Sequence, residues 1–85
     1  MLKIGTNLFI RTVTHYYTGK LVEVTKDYIV IDNDAWIADT GRFSTALETG
    51  QLNEVEPYPD GPVFVSTGAI IDLCEWKHAL PREQK

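Results

Sequence analysis

The sequence is short of staples. Its 85 residues contain one cysteine, Cys74, and a single thiol forms no intrachain disulfide. No apolar run approaches the roughly 18 residues that a membrane-spanning helix needs. The opening residues 1–7 are broken by Gly5 and Asn7 and read as an extended lead-in, with no signal peptide. Cations are also scarce: eight lysines and arginines face twelve aspartates and glutamates, for a net charge of −4. Lys3, Arg11, Lys20, Lys26, Arg42, Lys77, Arg82 and Lys85 are scattered along the chain. General duplex-DNA binding depends on clustered cations that displace counterions, so this distribution argues against it. Internal repeats and low-complexity segments are absent.

Catalytic patterns are missing as well. The acid pairs Asp32/Asp34 and Glu54/Glu56 stand at i, i+2 and are expected to share a strand face. No nucleophile or phosphate loop accompanies them, so they read as solvated edge charges and no enzyme is expected. Cys74 and His78 lie four apart at a strand end without two further ligands, so neither a metal nor another cofactor is implied. His15, beside Tyr16 and Tyr17, reads as a surface residue of a turn. A chain this small forms one domain with a marginal core. With disulfide and metal unsupported, self-association is the remaining stabiliser, and a cytoplasmic, self-associating protein is the expectation.

What is present is β-prone. The central stretch, residues 16–32, consists of two runs of β-branched and aromatic residues joined by Thr25, Lys26 and Asp27, a hairpin pattern. Gly19 inside the first run weakens a strand, so it signals a bulge, a bend or a close backbone approach. Two strongly bent strands point to a small closed barrel. Residues 8–14 alternate Phe9, Arg11 and Val13 against Leu8, Ile10 and Thr12, a first strand with one face on the core. The second strand leads from Tyr16, and the third runs from Tyr28 to about Asp34.

Residues 33–61 form an insert. A short helix is expected over residues 39–50, with Asp39 or Thr40 as N-cap, Phe43, Ala46 and Leu47 on one face, and Gly50 at C′. Ala35, Trp36, Ile37 and Ala38 make an apolar patch ahead of it, and Trp36 and Trp76 read as packing anchors. Residues 51–56 alternate around Leu52 and Val55 as a strand or an extended arm. From Asp32 to Asp60 seven acidic residues face Arg42 alone, a local charge of −6, which reads as a solvated face or a partner-selecting surface. Pro57, Pro59, Asp60, Gly61 and Pro62 spell a turn. A fourth strand follows over residues 62–66, Thr67 and Gly68 turn the chain, a fifth strand runs from Ala69 to about Trp76, and the tail 81–85 is expected to fray.

Tyr17-Thr18-Gly19-Lys20-Leu21, then Val24, a polar turn and Ile29-Val30-Ile31 resemble the first motif of the Sm and Sm-like (LSm, Hfq-like) proteins. Residues 63–71, Val-Phe-Val-Ser-Thr-Gly-Ala-Ile-Ile, resemble the second. With its acidic balance and long insert, the chain is most similar to the small Sm-like proteins of marine cyanophages. The resemblance implies an all-β, SH3-like small barrel of about five bent antiparallel strands, with the short helix inserted between strands 3 and 4. It also implies a homo-oligomeric ring in which the fourth strand of one subunit pairs with the fifth of the next. That assigns Val63, Phe64, Val65, Ile70, Ile71 and Leu73 to the seam. Single-stranded RNA would meet the two motif turns, Thr25, Lys26, Asp27 and Tyr28 with Thr67, Gly68 and Ala69. The family's usual aspartate falls on Thr25, its asparagine near Tyr28 or Ile29, and its arginine on Thr67. What remains is Lys26 as a charge and Tyr28 as a stacking ring. The pattern places Leu21 and Val24 inside, whereas strict alternation pairs Leu21 with Glu23; a bulge near residues 19–22 reconciles them. The alternative is a phage accessory or scaffold ring, in the host cytoplasm, whose acidic insert binds a host or phage protein. A ring holding a small nucleotide between subunits is a third reading.

Overall fold

The computed structural model describes residues 2–85, so Met1 of the expected lead-in lies outside the described residues. The chain is mostly antiparallel β-sheet: β1 (Asn7–Thr12), β2 (Tyr16–Val24), β3 (Tyr28–Asp39), α1 (Phe43–Thr49), β4 (Glu54–Pro57), β5 (Val63–Ser66) and β6 (Ile70–Glu75). The strands run in the order β4-β3-β2-β1-β6, and β5 pairs with the first half of β3. β5 and β6 form no ladder with each other, so the sheet is open. The strand additional to the expected five is β4, the arm around Val55. Among the described residues no helix is long and apolar enough to cross a membrane.

β3 is twelve residues long and absorbs the Ala35–Ala38 patch that the sequence placed ahead of the helix. Its two halves serve different cores. Thr18 pairs with Ala35 and Lys20 with Asp32, so Asn33 and Asp34 together oppose Gly19. This is a bulge, and Asn33 takes the left-handed backbone (φ 49°) that asparagine tolerates better than most residues. Side chains alternate with period two, so one extra residue switches the face on which every later side chain lies. Ile29 and Ile31 therefore join Leu8, Ile10, Leu21 and Val65 in one cluster. Ala35 and Ile37, of the same parity, join Phe9, Ala46, Leu52, Val55 and Trp76 in the other.

β1 consequently differs from its expected one-sided burial: Leu8 and Ile10 fill the first core while Phe9 fills the second. Phe9 stacks between Tyr16 and Trp76, with ring centroids 5.4 Å from each. The second core is roofed by α1 through Ala46 and Leu47, by Leu52 and Val55, and by Leu80. The helix is shorter at its start than expected. Neither Asp39 nor Thr40 caps it: Arg42 is the N-cap residue, without a side-chain bond, and the Asp39 carboxylate instead accepts from the Gly41 N–H at 2.8 Å. Its end is as the sequence indicates, with Gly50 left-handed (φ 81°) and its N–H bonded to the Ala46 carbonyl.

A second bulge lies on β2, where the register shifts between Leu21 and Glu23. It buries Leu21, but Val24 at the strand end stays 46 % exposed rather than entering the core. Asp32 and Asp34 do not share a face as expected. The bulge between them leaves Asp32 exposed and buries Asp34. The lead-in is not plainly extended: a turn carries Gly5 to the Leu21 carbonyl at 2.8 Å. The tail expected to fray returns to β4, where the Lys85 N–H donates to the Val55 carbonyl at 2.9 Å.

Gly19 is required by close approach. A Cβ there would stand 2.8 Å from Ile31 Cβ, whereas one on Gly68 would meet nothing nearer than Ser66 Oγ at 3.6 Å. Gly19→Ala is expected to lower unfolding free energy by about 1–3 kcal/mol and Gly68→Ala to change it by less than about 0.5 kcal/mol, as measured by urea denaturation. Asn33→Val, which puts a β-branched residue at positive φ, is expected to cost about 1–2 kcal/mol, while Asn33→Gly restores stability to within about 0.5 kcal/mol of the parent.

Candidate functional site

The turn between β2 and β3 is built by Thr25. Its hydroxyl accepts from the N–H groups of Asp27 (3.2 Å) and Tyr28 (3.0 Å) and donates to the Tyr28 carbonyl (3.0 Å). A threonine thus does the turn work that an aspartate side chain would do there. Lys26 and Asp27 project from this turn into solvent.

The turn between β5 and β6 is a single 3₁₀ turn, Thr67–Ala69. It is fastened to the first. The Thr67 N–H donates to the Asp27 carbonyl at 3.0 Å, and the Thr67 hydroxyl donates to the Lys26 carbonyl at 2.8 Å. Pairing of Tyr28 with Ser66 sets this contact, because β3 and β5 end together there. Thr25, Lys26, Asp27, Tyr28, Thr67, Gly68 and Ala69 therefore share one end of the molecule. Thr67 has its hydroxyl committed to holding the turns together. Beside them, Tyr28 and the 61 % exposed Phe64 form a tilted aromatic pair with centroids 5.2 Å apart. The end presents a cation, backbone polar groups and π faces, a set suited to non-covalent capture of a planar ligand.

The seam candidates divide. Val65 is buried in the first core, and Val63, Ile70 and Leu73 pack against it. Phe64 and Ile71, at 61 and 55 % exposure, point outward. The outer edges of β5 and β6 carry no partner strand among the described residues.

Two other polar groups were less legible. Asp34 is 1 % exposed, and its Oδ2 has no hydrogen-bond partner. Burial raises its carboxyl above the ordinary value, and nearby Asp32 adds to this; the backbone N–H groups of Asp34 and Val63 and the charge of Arg82 oppose it. Around it, the Tyr58 N–H donates to the Asp34 carbonyl (3.0 Å), and the Arg82 guanidinium forks to the carbonyls of Asp34 (2.7 Å) and Tyr58 (2.9 Å). The Tyr58 phenol is pushed up to about 12, first by burial and then by Tyr17 and Asp34. This cluster ties down the 57–62 turn. The Asp-Gly-Pro composition of the turn was readable, but its tether to Arg82 was not, because nothing local links residues 34, 58 and 82.

His15 is half-buried rather than on the surface, packed against Tyr17 and Trp36 with centroids at 4.7 and 5.3 Å, and burial lowers its pKa. His78 donates from Nε2 to the Leu47 carbonyl at 2.8 Å in the last turn of α1, which gives it a helix-end role. Among the described residues no three His, Cys, Asp or Glu side chains gather as metal ligands would.

A carboxyl whose folded value is raised favours the native state while it is protonated. That stability is present below its unfolded value near 4 and is lost as pH rises through the folded value. Asp34→Asn, which stays neutral, is therefore expected to gain stability relative to the parent chain as pH goes from about 4 to 7, with a slope of at most about 1.4 kcal/mol per pH unit. Paired denaturation curves across that range check it; a constant difference would mean that Asp34 ionises freely. No protein-family model matches the chain, and no curated protein or solved structure does so either.

Proposed function

We propose that the chain is a non-catalytic, Sm-like subunit that assembles into a homo-oligomeric ring and binds single-stranded RNA at its two fastened turns. The observation that carries this reading is the bonding of Thr67 to the carbonyls of Lys26 and Asp27 beside the Tyr28–Phe64 pair. Two turns 41 residues apart converge on one small surface that has a cation and an exposed ring. Stacking with backbone contacts is how single strands are held without duplex geometry.

The strand arrangement supports the assembly. Apart from β4, the path β6-β1-β2-β3-β5, open between its end strands, supports a five-stranded, SH3-like arrangement. Its two open edges, β5 and β6, are antiparallel-pairing surfaces on the same molecule. Joining the β5 edge of one subunit to the β6 edge of the next satisfies both and closes a ring. Phe64 and Ile71 lose their exposure in such a seam.

A second reading, an accessory or scaffold ring that binds a protein, draws on Glu54 and Glu56. Both are exposed on β4 beside the buried Val55. Uridine-rich and adenosine-rich labelled strands, titrated at low and moderate salt with native mass recorded, separate the two. The RNA reading expects a mass several times the 9.6 kDa chain and affinity that falls with salt. It expects Lys26→Glu and Tyr28→Leu each to weaken binding by about tenfold, in the range of one lost stacking or phosphate contact. Ile71→Lys should reduce the mass to that of one chain. A ring that ignores both strands sinks the RNA reading and leaves the protein-binding one.

A further inference from the structure

β4 is the outermost strand at its end of the sheet, and its free edge is occupied by the chain itself. The backbone of Val55 points away from β3. Its N–H donates to the Lys85 carbonyl at 3.1 Å and its carbonyl accepts from the Lys85 N–H at 2.9 Å, the reciprocal pair of an antiparallel ladder. Two cations anchor this segment without touching a carboxylate. Lys85 Nζ donates to the Leu52 carbonyl at 3.0 Å, and Arg82 clasps the carbonyls of Asp34 and Tyr58.

Where the tail meets the β4 edge lies a cleft of about 530 Å³, walled by Leu52 and Val55 on one side and by the tail residues Leu80 to Lys85 on the other. Leu52 and Val55 belong to the second core and are buried with the tail in place, so lifting the tail would open them to an entering side chain. The opposite face of β4 is acidic: Glu54 and Glu56 flank Val55, both exposed and pointing away from the cleft, and neither forms an ion pair among the described residues. A strand edge, an apolar recess and unpaired carboxylates together fit an extended segment that carries basic and apolar side chains. Residues 80–85 form such a segment, and Lys85 makes one reciprocal backbone pair with Val55.

We propose that the β4 edge with its cleft is a strand-addition site for an extended basic peptide of another protein, and that residues 82–85 hold it closed in cis. The site does not depend on the ring or on RNA, because it uses neither β5, β6 nor the fastened turns.

The 85-residue chain tests this. Lys85→Pro removes both the N–H that pairs with Val55 and the ammonium, and Arg82→Ala removes the clasp; the double variant leaves every core residue in place. The probe is a fluorescently labelled peptide of residues 79–85, Ala-Leu-Pro-Arg-Glu-Gln-Lys, with a control in which Arg and Lys become Glu. A strap closed nine-tenths of the time lowers apparent affinity about tenfold. The variant should therefore bind the probe about tenfold more tightly than the parent chain, bind the control more weakly, and exchange the Val55 amide faster when no peptide is present. Equal Val55 exchange in the two proteins, or equal probe affinity, overturns the proposal. So does concentration-dependent growth in the variant's native mass beyond the parent's, since that makes the tail of a second copy the occupant. If the double variant loses cooperative unfolding, the same outcomes are read from Lys85→Pro alone, which keeps the Arg82 clasp.

Discussion

The structure depends on one inserted residue. Asn33 adds a bulge to β3 opposite Gly19, and without it Ala35 and Ile37 would continue on the face of Ile29 and Ile31. All four would then face the first core, and α1, Leu52 and Val55 would lose Ala35 and Ile37 from the surface they cover. With the bulge, one twelve-residue strand supplies both cores and the sheet is buried on two faces at β1. Gly19 is the complement of this bend, because Ile31 occupies the space that a Cβ on Gly19 would need. A chain of 85 residues with a single cysteine thereby gains a second hydrophobic cluster.

The two cores divide the molecule. The first holds β5 against the beginning of β3 and so brings the turns at Thr25 and Thr67 into contact. The second holds the acidic segment: α1 and β4 pack there through Ala46, Leu52 and Val55, and Trp76 closes it from the end of β6. The hydrogen bond from Trp76 Nε1 to the Ala79 carbonyl then turns the chain back toward β4. The position of the tail is thus a consequence of the second core, and β4 and β5 can present separate edges from the two halves of β3.

What could be read in the sequence was local. Gly19 as a bulge or close approach, Gly50 as a helix end, Leu52 and Val55 as contacts, and the Pro57–Pro62 stretch as a turn each follow from one residue's backbone freedom or from short-range alternation. What was missed depended on partners far along the chain. Phe9 looks like the outer side of a one-sided strand until Tyr16 and Trp76 enclose it. Asn33 carries no sequence sign that distinguishes a loop from a bulge, so the sequence suggests a strand end near Asp34, five residues short of the observed one. Asp39 had the composition of an N-cap, but its carboxylate closes a turn onto Gly41 instead. The tail is polar by composition, yet Arg82 and Lys85 find backbone carbonyls brought within reach only by the bulge and by β4. Of the candidate site, the residues are legible but their fastening is not: the sequence marks Thr67 as a turn residue standing where the resemblance expects arginine, and only the fold shows that its hydroxyl joins the two turns.

The net negative charge sets a condition that the proposed RNA site meets by geometry. Lys26 and Tyr28 stand at the start of β3, and most of the acidic residues of the insert lie beyond the bulge, from Asp34 onward. A strand rises about 3.3 Å per residue, so six residues of β3 separate Tyr28 from Asp34 by about 20 Å along the strand. Charges in solvent are largely screened beyond about 8 Å at physiological ionic strength. Asp34 itself is buried, with its carboxyl raised by desolvation. A phosphate at the turns would therefore meet chiefly Lys26, Asp27 and the exposed backbone. With one cation beside one anion there, electrostatics supplies little affinity. Stacking on Tyr28 and repetition of the site around a ring would have to supply most of it, which ties RNA binding on this fold to assembly.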